Sequence, residues 1–190
     1  GAIEFAEKLH ADGKKIFLDL KLFDVPETVA NAVRQLRQWA TFTTVHGYEP
    51  LVRAAVAARQ TETKLLAVTV LTSLDRADMQ KAGLELEVAE LVMMRAKAAA
   101  AAGADGVIAS GREAGLLRAE LGRDFLIVTP GIREGDGGDI SGDDQKRTMT
   151  VAGAFQAGAD YIVVGRPIKE AADPRRTAEA IQETIARIFP

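Results

Sequence analysis

The stretch DLKLFDVP, Asp19 to Pro26, sets a carboxylate, an amine and a second carboxylate straight after the apolar run KKIFL. Charge is costly where a strand enters a core unless something compensates for its lost hydration. In an extended strand, residues i and i+2 face the same way, so Asp19 and Lys21 are expected to point to one side. Asp24 follows in the loop, just before Pro26. Flanked by two carboxylates, Lys21 is expected to keep its proton as an ammonium. It would then be a positioned proton donor, and the carboxylates could repel an anionic group on a bound molecule. The competing explanation is a structural ion-pair cluster, which stabilises little when buried.

The elements that must position these charges alternate. Short β-branched runs are expected to form strands: KIFLDL (15–20), TFTTVH (41–46), LLAVTVL (65–71), GVIAS (106–110), FLIVTPG (125–131) and YIVVGR (161–166). Between them lie helical patterns at Ile3 to Leu9, Pro26 to Trp39, Leu51 to Arg59, Glu87 to Ala102, Gly111 to Leu121, Val151 to Gln156 and Pro174 to Ile188. Pro26 suits a first helical turn, Gly13 a helix stop and Asp173 an N-cap. Nearly all the strand runs are apolar throughout, as in a parallel sheet covered on both faces. Alternating β and α makes the fold α/β.

An internal echo refines this. AGADGVI (102–108) recurs as AGADYIV (157–163), and each leads to a Gly-Arg pair, at 111–112 and 165–166. A repeat of about two βα units favours a (β/α)8 TIM barrel over an open sheet, although GAD is also a common αβ loop. A barrel needs eight strands, and the runs above supply six. The expectation is a single (β/α)-barrel domain over residues 1–190 with its first two βα units absent, about 40–60 residues.

In such a barrel, the strand carrying Asp19 and Lys21 presents them at its C-terminal end, where barrel active sites form. Phosphate is often held by the loops after the last two strands. Gly165 and Arg166 end the last strand, and Arg133 ends the one before, with Gln145 further along the same loop. Glycine permits close backbone approach, and a guanidinium fork matches phosphate oxygens. The alternative for Arg166 is a surface arginine. The Gly111–Arg112 pair follows an earlier strand and is not assigned. EGDGGDISGDD (134–144) has the glycines of a lid. Its acidic residues, Glu134, Asp136, Asp139, Asp143 and Asp144, must point outward or be balanced by Arg133, Lys146 and Arg147.

Composition excludes several classes. The chain has 190 residues, 47% hydrophobic and 27% charged, with net charge −3. That is one ordinary globular domain without a basic stripe for nucleic acid. It lacks cysteine, which removes disulfides and thiolate metal sites and fits a reducing, cytoplasmic setting. No apolar run has the length of a membrane span, and no His, Asp or Glu spacing resembles a metal site. His46, at a strand end, reads as a core hydrogen bonder rather than a chemical group, and His10 as solvated.

Taken in order, DLKLFDVPET, VTVLTS (68–73), VTPGIR (128–133), GDDQKR (142–147) and YIVVGRPI (161–168) resemble the orotidine 5'-phosphate decarboxylases, best in their bacterial branch. The resemblance covers the whole chain. It implies a (β/α)8 barrel acting as a homodimer, with no cofactor and no metal. It implies that Lys21 donates the proton to C6 after carbon dioxide leaves, that Asp19 sits beside the substrate carboxylate, and that Asp24 and Thr28 reach the partner's site. It further implies that Thr72 reads the pyrimidine and that Arg133, Gln145, Gly165 and Arg166 hold the phosphate. One departure is plain. The family has an Asp on its first strand and a Lys on its second, and residues 1–18 match neither; Lys14 and Lys15 lie at the wrong end of their strand. The second-strand Lys would join the motif in a Lys-Asp-Lys-Asp network, so the chain holds three of those four residues, Asp19, Lys21 and Asp24, and by itself is expected to be poorly stable or inactive. Two other readings stay open: a metal-dependent sugar-phosphate decarboxylase or aldolase of the same superfamily, and a phosphate-ligand-binding fragment without turnover.

Overall fold

Each apolar run identified above forms a strand, and most end earlier than their composition implies. The computed structural model describes residues 1–133 and 146–189. Among these residues are six strands: β1 (Ile16–Leu22), β2 (Ala40–His46), β3 (Lys64–Val68), β4 (Gly106–Ile108), β5 (Leu126–Thr129) and β6 (Tyr161–Ile162). The helices are α1 (Ala2–Ala11), α2 (Pro26–Arg34), α3 (Glu49–Ala58), α4 (Arg76–Lys81), α5 (Val88–Ala101), α6 (Gly111–Leu121), α7 (Val151–Gln156), α8 (Arg166–Lys169) and α9 (Pro174–Ile188). Strand order follows chain order, β1-β2-β3-β4-β5-β6. The β1–β2, β2–β3 and β5–β6 pairs are parallel. Parallel neighbours need a crossover, which the intervening helices supply.

Two expectations need correction, and one helix was not foreseen. The pattern from Pro26 to Trp39 is helical only to Arg34; the i→i+3 bonds of Gln35 to Ala32 and Leu36 to Val33 tighten its last turn before β2 begins at Ala40. The run YIVVGR leaves the strand after Ile162, and Arg166 begins the short α8, with Pro in its first turn. Helix α4 was hidden by its length and polarity. Its signal is Asp75 and Asp78, which form a reciprocal capping box. Burial is also uneven. Strands β3, β4 and β5 are mostly buried, whereas the outer strands β1 and β6 are not. Leu20 on β1 and Tyr161 on β6 stay exposed.

Contacts group the chain into two compact units, Gly1–Thr69 with Arg95–Val107, and Val70–Met94 with Ile108–Pro190. In the first, Val29, Val33, Val45, Val52, Leu65 and Leu66 are fully buried between helices and strands. In the second, Ile132, Val151, Ala154, Ala159 and Ile181 form a core, closed by Phe155, Ile162, Ile168 and Ile185.

The GAD echo has a structural cause, repeated once in each unit. In the first, Asp105 precedes β4. Its N–H donates to Leu65 O at 3.0 Å, its carboxylate accepts from Leu65 N–H at 2.9 Å, and Arg59 pairs with the same oxygen. In the second, Asp160 precedes β6. Its N–H donates to Ile127 O at 2.8 Å, and its carboxylate accepts from Ile127 N–H at 2.7 Å and from Arg118 at 2.6 Å. Each Asp thus satisfies the N–H of the second residue of the preceding strand, and an Arg at the end of the helix before that strand, Arg59 after α3 or Arg118 in α6, pairs with it. These clamps sit at the N-terminal ends of strands and serve stability.

Asp160→Ala should destabilise the protein by about 2–3 kcal/mol, because a part-buried N–H and a guanidinium lose a charged acceptor. Arg175→Ala, which breaks only the exposed pair with Glu179, should stay within about 0.5 kcal/mol. Urea unfolding followed by circular dichroism compares them; coincident midpoints would contradict the clamp.

Candidate active site

Strand β1 does not run straight through its charged residues. Leu18 pairs with Thr43 and Leu22 with Val45, so Asp19, Leu20 and Lys21 all stand opposite Thr44. This is a β-bulge of three residues against one, a feature that re-aims side chains beside functional sites. Lys21 takes φ +46°, the only non-glycine residue among those described with positive φ. For a lysine that conformation is strained, and such strain gathers at functional positions.

One buried hydroxyl holds the bulge. Thr44, fully buried on β2, accepts from the Lys21 N–H at 2.8 Å and donates to Asp19 Oδ1 at 2.8 Å. The other Asp19 oxygen pairs with Lys21 Nζ. The expected meeting of Asp19 and Lys21 therefore occurs, but through the bulge and Thr44 rather than through a regular pleat. Both side chains remain about half exposed, where an ion pair adds little stability. Backbone strain for a pair of so little structural worth points to chemistry. Asp24 is not part of it: its carboxylate accepts from the Val25 N–H at 2.7 Å and stays exposed. Thr28, in the first turn of α2, is exposed as well.

Beside the bulge, His46 packs against Phe23 with ring centres 4.8 Å apart, and Phe23 stacks on Tyr48 at 5.4 Å. Arg95 lies over the Tyr48 ring at 4.6 Å and donates to Thr69 O. Burial first, then the positive charges of Arg95 and Lys21, lower the pKa of His46 from its ordinary value. What the structure shows at His46 is packing against an aromatic ring, where a core hydrogen bonder was expected.

The remaining expected residues lie in the second unit. Thr72 is buried, and its carbonyl accepts from the Lys146 N–H at 3.1 Å. Arg133 is buried, with Nη1 donating to Ile132 O at 2.8 Å and its own N–H to Met149 O at 2.9 Å. Gly165 is the N-cap of α8, and Arg166, half-buried, is its first residue. Gln145 and the segment 134–144 lie outside the described residues. The two Gly-Arg pairs now separate. A Cβ on Gly111 would stand 2.5 Å from Met149 Sδ, so that glycine serves packing; a Cβ on Gly165 would meet nothing within 4 Å, which leaves its backbone open to a ligand.

Sequence reasoning missed what anchors these loops. Arg147 and Glu113 form a buried ion pair at 2.8 Å, and Lys146 Nζ bridges Asp75 at 2.9 Å and Asp78 at 2.6 Å. The bond from Lys146 holds the Asp75 carboxyl down to about 2. Lys146 therefore pairs with the carboxylates of the α4 cap and Arg147 with Glu113 of α6, while the acidic segment expected to face them lies outside the described residues. The capping spacing of Asp75 and Asp78 was readable; nothing in sequence marks Glu113 as the partner of Arg147.

The family model described as "Orotidine 5'-phosphate decarboxylase / HUMPS family" matches residues 1–181. The chain belongs to that family. It is 52% identical to the orotidine 5'-phosphate decarboxylase of Stenotrophomonas maltophilia, over 95% of this chain and 74% of the relative. With that of Methylococcus capsulatus it shares 50%, again over 95% and 74%. The crystal structure of the Lactobacillus acidophilus orotidine 5'-phosphate decarboxylase superposes with TM-score 0.77 at 40% identity, covering 94% of this chain and 79% of that one. The chain thus spans about three quarters of the length of these family members. Its alternating strands and helices are βα units of the family's TIM-barrel-type fold.

His46 should titrate below 6.5 in the folded protein. The native state then binds this proton less readily than the unfolded chain. Its contribution to stability is whole above the unfolded value and falls as pH drops through 6.5 towards the folded pKa. Imidazole NMR shifts followed against pH measure it; a midpoint at or above 6.5 would overturn the assignment.

Proposed function

We propose that this chain carries the proton-donating centre of the decarboxylase chemistry of its relatives, the conversion of orotidine 5'-monophosphate to uridine 5'-monophosphate and carbon dioxide, a step in making pyrimidine nucleotides. The observation that carries this reading is the Asp19–Lys21 pair, set in a strained bulge by the buried Thr44 hydroxyl. The C6–carboxyl bond breaks, its electron pair remains on C6, and the Lys21 ammonium delivers the proton there. Solvent then restores the lysine. Asp19, beside the departing carboxylate, opposes its charge and holds Lys21 in place. No metal or cofactor takes part in this scheme.

Thr72 reads the pyrimidine, and Arg133, Gln145, Gly165 and Arg166 hold the phosphate. Binding energy at the phosphate can offset the unfavourable juxtaposition of carboxylates at the reacting carbon. Asp24 and Thr28 serve the neighbouring subunit of a homodimer. This is supported by their exposure and by the exposed apolar residues Phe23 and Val25 on either side of Asp24. The enzyme works in the cytoplasm. Among the described residues, no helix is long and apolar enough to cross a membrane.

The metal-dependent alternative predicts loss of activity with a chelator, whereas the scheme above predicts none. A binding-only fragment would take up uridine 5'-monophosphate without turnover. Loss of orotate absorbance measures the reaction. Lys21→Ala should lower kcat by about 10²–10⁴-fold, the usual worth of a positioned proton donor, with the fold retained. Arg166→Ala should lower kcat/KM by about 10–100-fold, as one charged hydrogen bond implies. Near-normal turnover by Lys21→Ala would sink the mechanism.

A further inference from the structure

Three successive carbonyls after β3 are bonded from one short segment. Arg147 Nη2 donates to Val70 O at 2.9 Å and to Leu71 O at 3.2 Å, and the Lys146 N–H donates to Thr72 O at 3.1 Å. The Arg147 head group is buried, 6% exposed, and Nη1 is held by Glu113, 8% exposed. Ser110, the α6 N-cap, donates to Arg147 O at 3.2 Å and so fixes its backbone as well.

Stability alone does not explain this pair. Glu113 Oε2 and Arg147 Nε are buried and make no hydrogen bond among the described residues. An incompletely satisfied buried ion pair is no more stabilising than well-packed apolar residues of similar volume. Burial also pushes the Glu113 carboxyl above its ordinary range, against the pull of Arg147. What the pair does supply is direction. A planar guanidinium pinned by one carboxylate presents its other edge to two carbonyls in a fixed plane. Those carbonyls immediately precede Thr72.

We propose that Arg147, held by Glu113, is the positioning residue for the pyrimidine end of the site: it fixes the Val70–Leu71 backbone that carries Thr72. This rests on the assignment of Thr72 to the pyrimidine. Arg147 itself is enclosed and acts through Thr72, without touching the substrate. A displacement of about 1 Å in a positioning group is enough to cost about 100-fold in rate.

The test uses the full chain with Arg147→Lys and Glu113→Gln, each checked for folding by thermal melt. Arg147→Lys keeps the charge but loses the fork. It should weaken uridine 5'-monophosphate binding and kcat/KM about tenfold or more, while inorganic phosphate binds within about twofold of wild type. Glu113→Gln, nearly isosteric, should show the same selective loss in smaller measure, so the idea survives or falls even if the lysine variant does not fold. In a Thr72→Ala background, Arg147→Lys should add little further loss, because both act through one contact. Additive losses, equal losses for nucleotide and phosphate, or wild-type behaviour would overturn the proposal. Amide hydrogen exchange at Leu71 and Thr72 gives a readout independent of activity, and it should speed up in Arg147→Lys. A wild-type chain that bound no nucleotide would refute the functional assignment. Unchanged exchange in the variant would refute the positioning role.

Discussion

The second unit depends on four residues, 146–149, that tie together its segments at 70–72, 110 and 131–133. Arg147 and Lys146 hold the carbonyls after β3, Ser110 after β4 holds the Arg147 carbonyl, and Met149 pairs with Gly131 and Arg133 after β5. Loops at strand ends otherwise carry unpaired polar backbone, which burial would penalise. Here one segment pairs with Val70, Leu71, Thr72, Gly131 and Arg133, so Thr72 and Arg133 are placed by a shared scaffold rather than by independent loops. Gly111 belongs to the same arrangement, because a side chain there would push Met149 out of its seat.

The opposite strand ends follow another rule. Asp105 and Asp160 each close an αβ loop onto the N–H of the second residue of the preceding strand, with an arginine as counter-charge. Charge at those ends is fully partnered and does nothing but hold. Charge at the end of β1 is half exposed and sits on strained backbone. The clamps on β3 and β5 and the pair on β1 thus differ in how fully their carboxylates are enclosed.

Much of this was legible in the sequence. Apolar runs bounded by helical periodicity located all six strands, and α6, α7 and α9 begin and end where their caps and periods place them. The motif residues Asp19 and Lys21 were expected to meet, and they do. What remained hidden depends on tertiary context. Nothing local announces that three β1 residues will stand opposite Thr44, because a bulge is a mismatch of register between two strands. Nothing local marks Thr44 among the threonines of TFTTVH as the one that holds the site. Helices of four and six residues carry too little periodicity to stand out, and Glu113 meets Arg147 across 34 positions. The GAD repeat was visible, but its meaning needed the arginines that each aspartate finds in space.

The left-handed backbone of Lys21 has a consequence for how this sequence can drift. At φ +46° a glycine or asparagine would sit more comfortably than any long side chain. Selection for folding alone would therefore carry position 21 away from lysine, and a library sorted only for heat resistance should enrich glycine or asparagine there. A lysine at this position therefore works against the conformational preference of its own backbone.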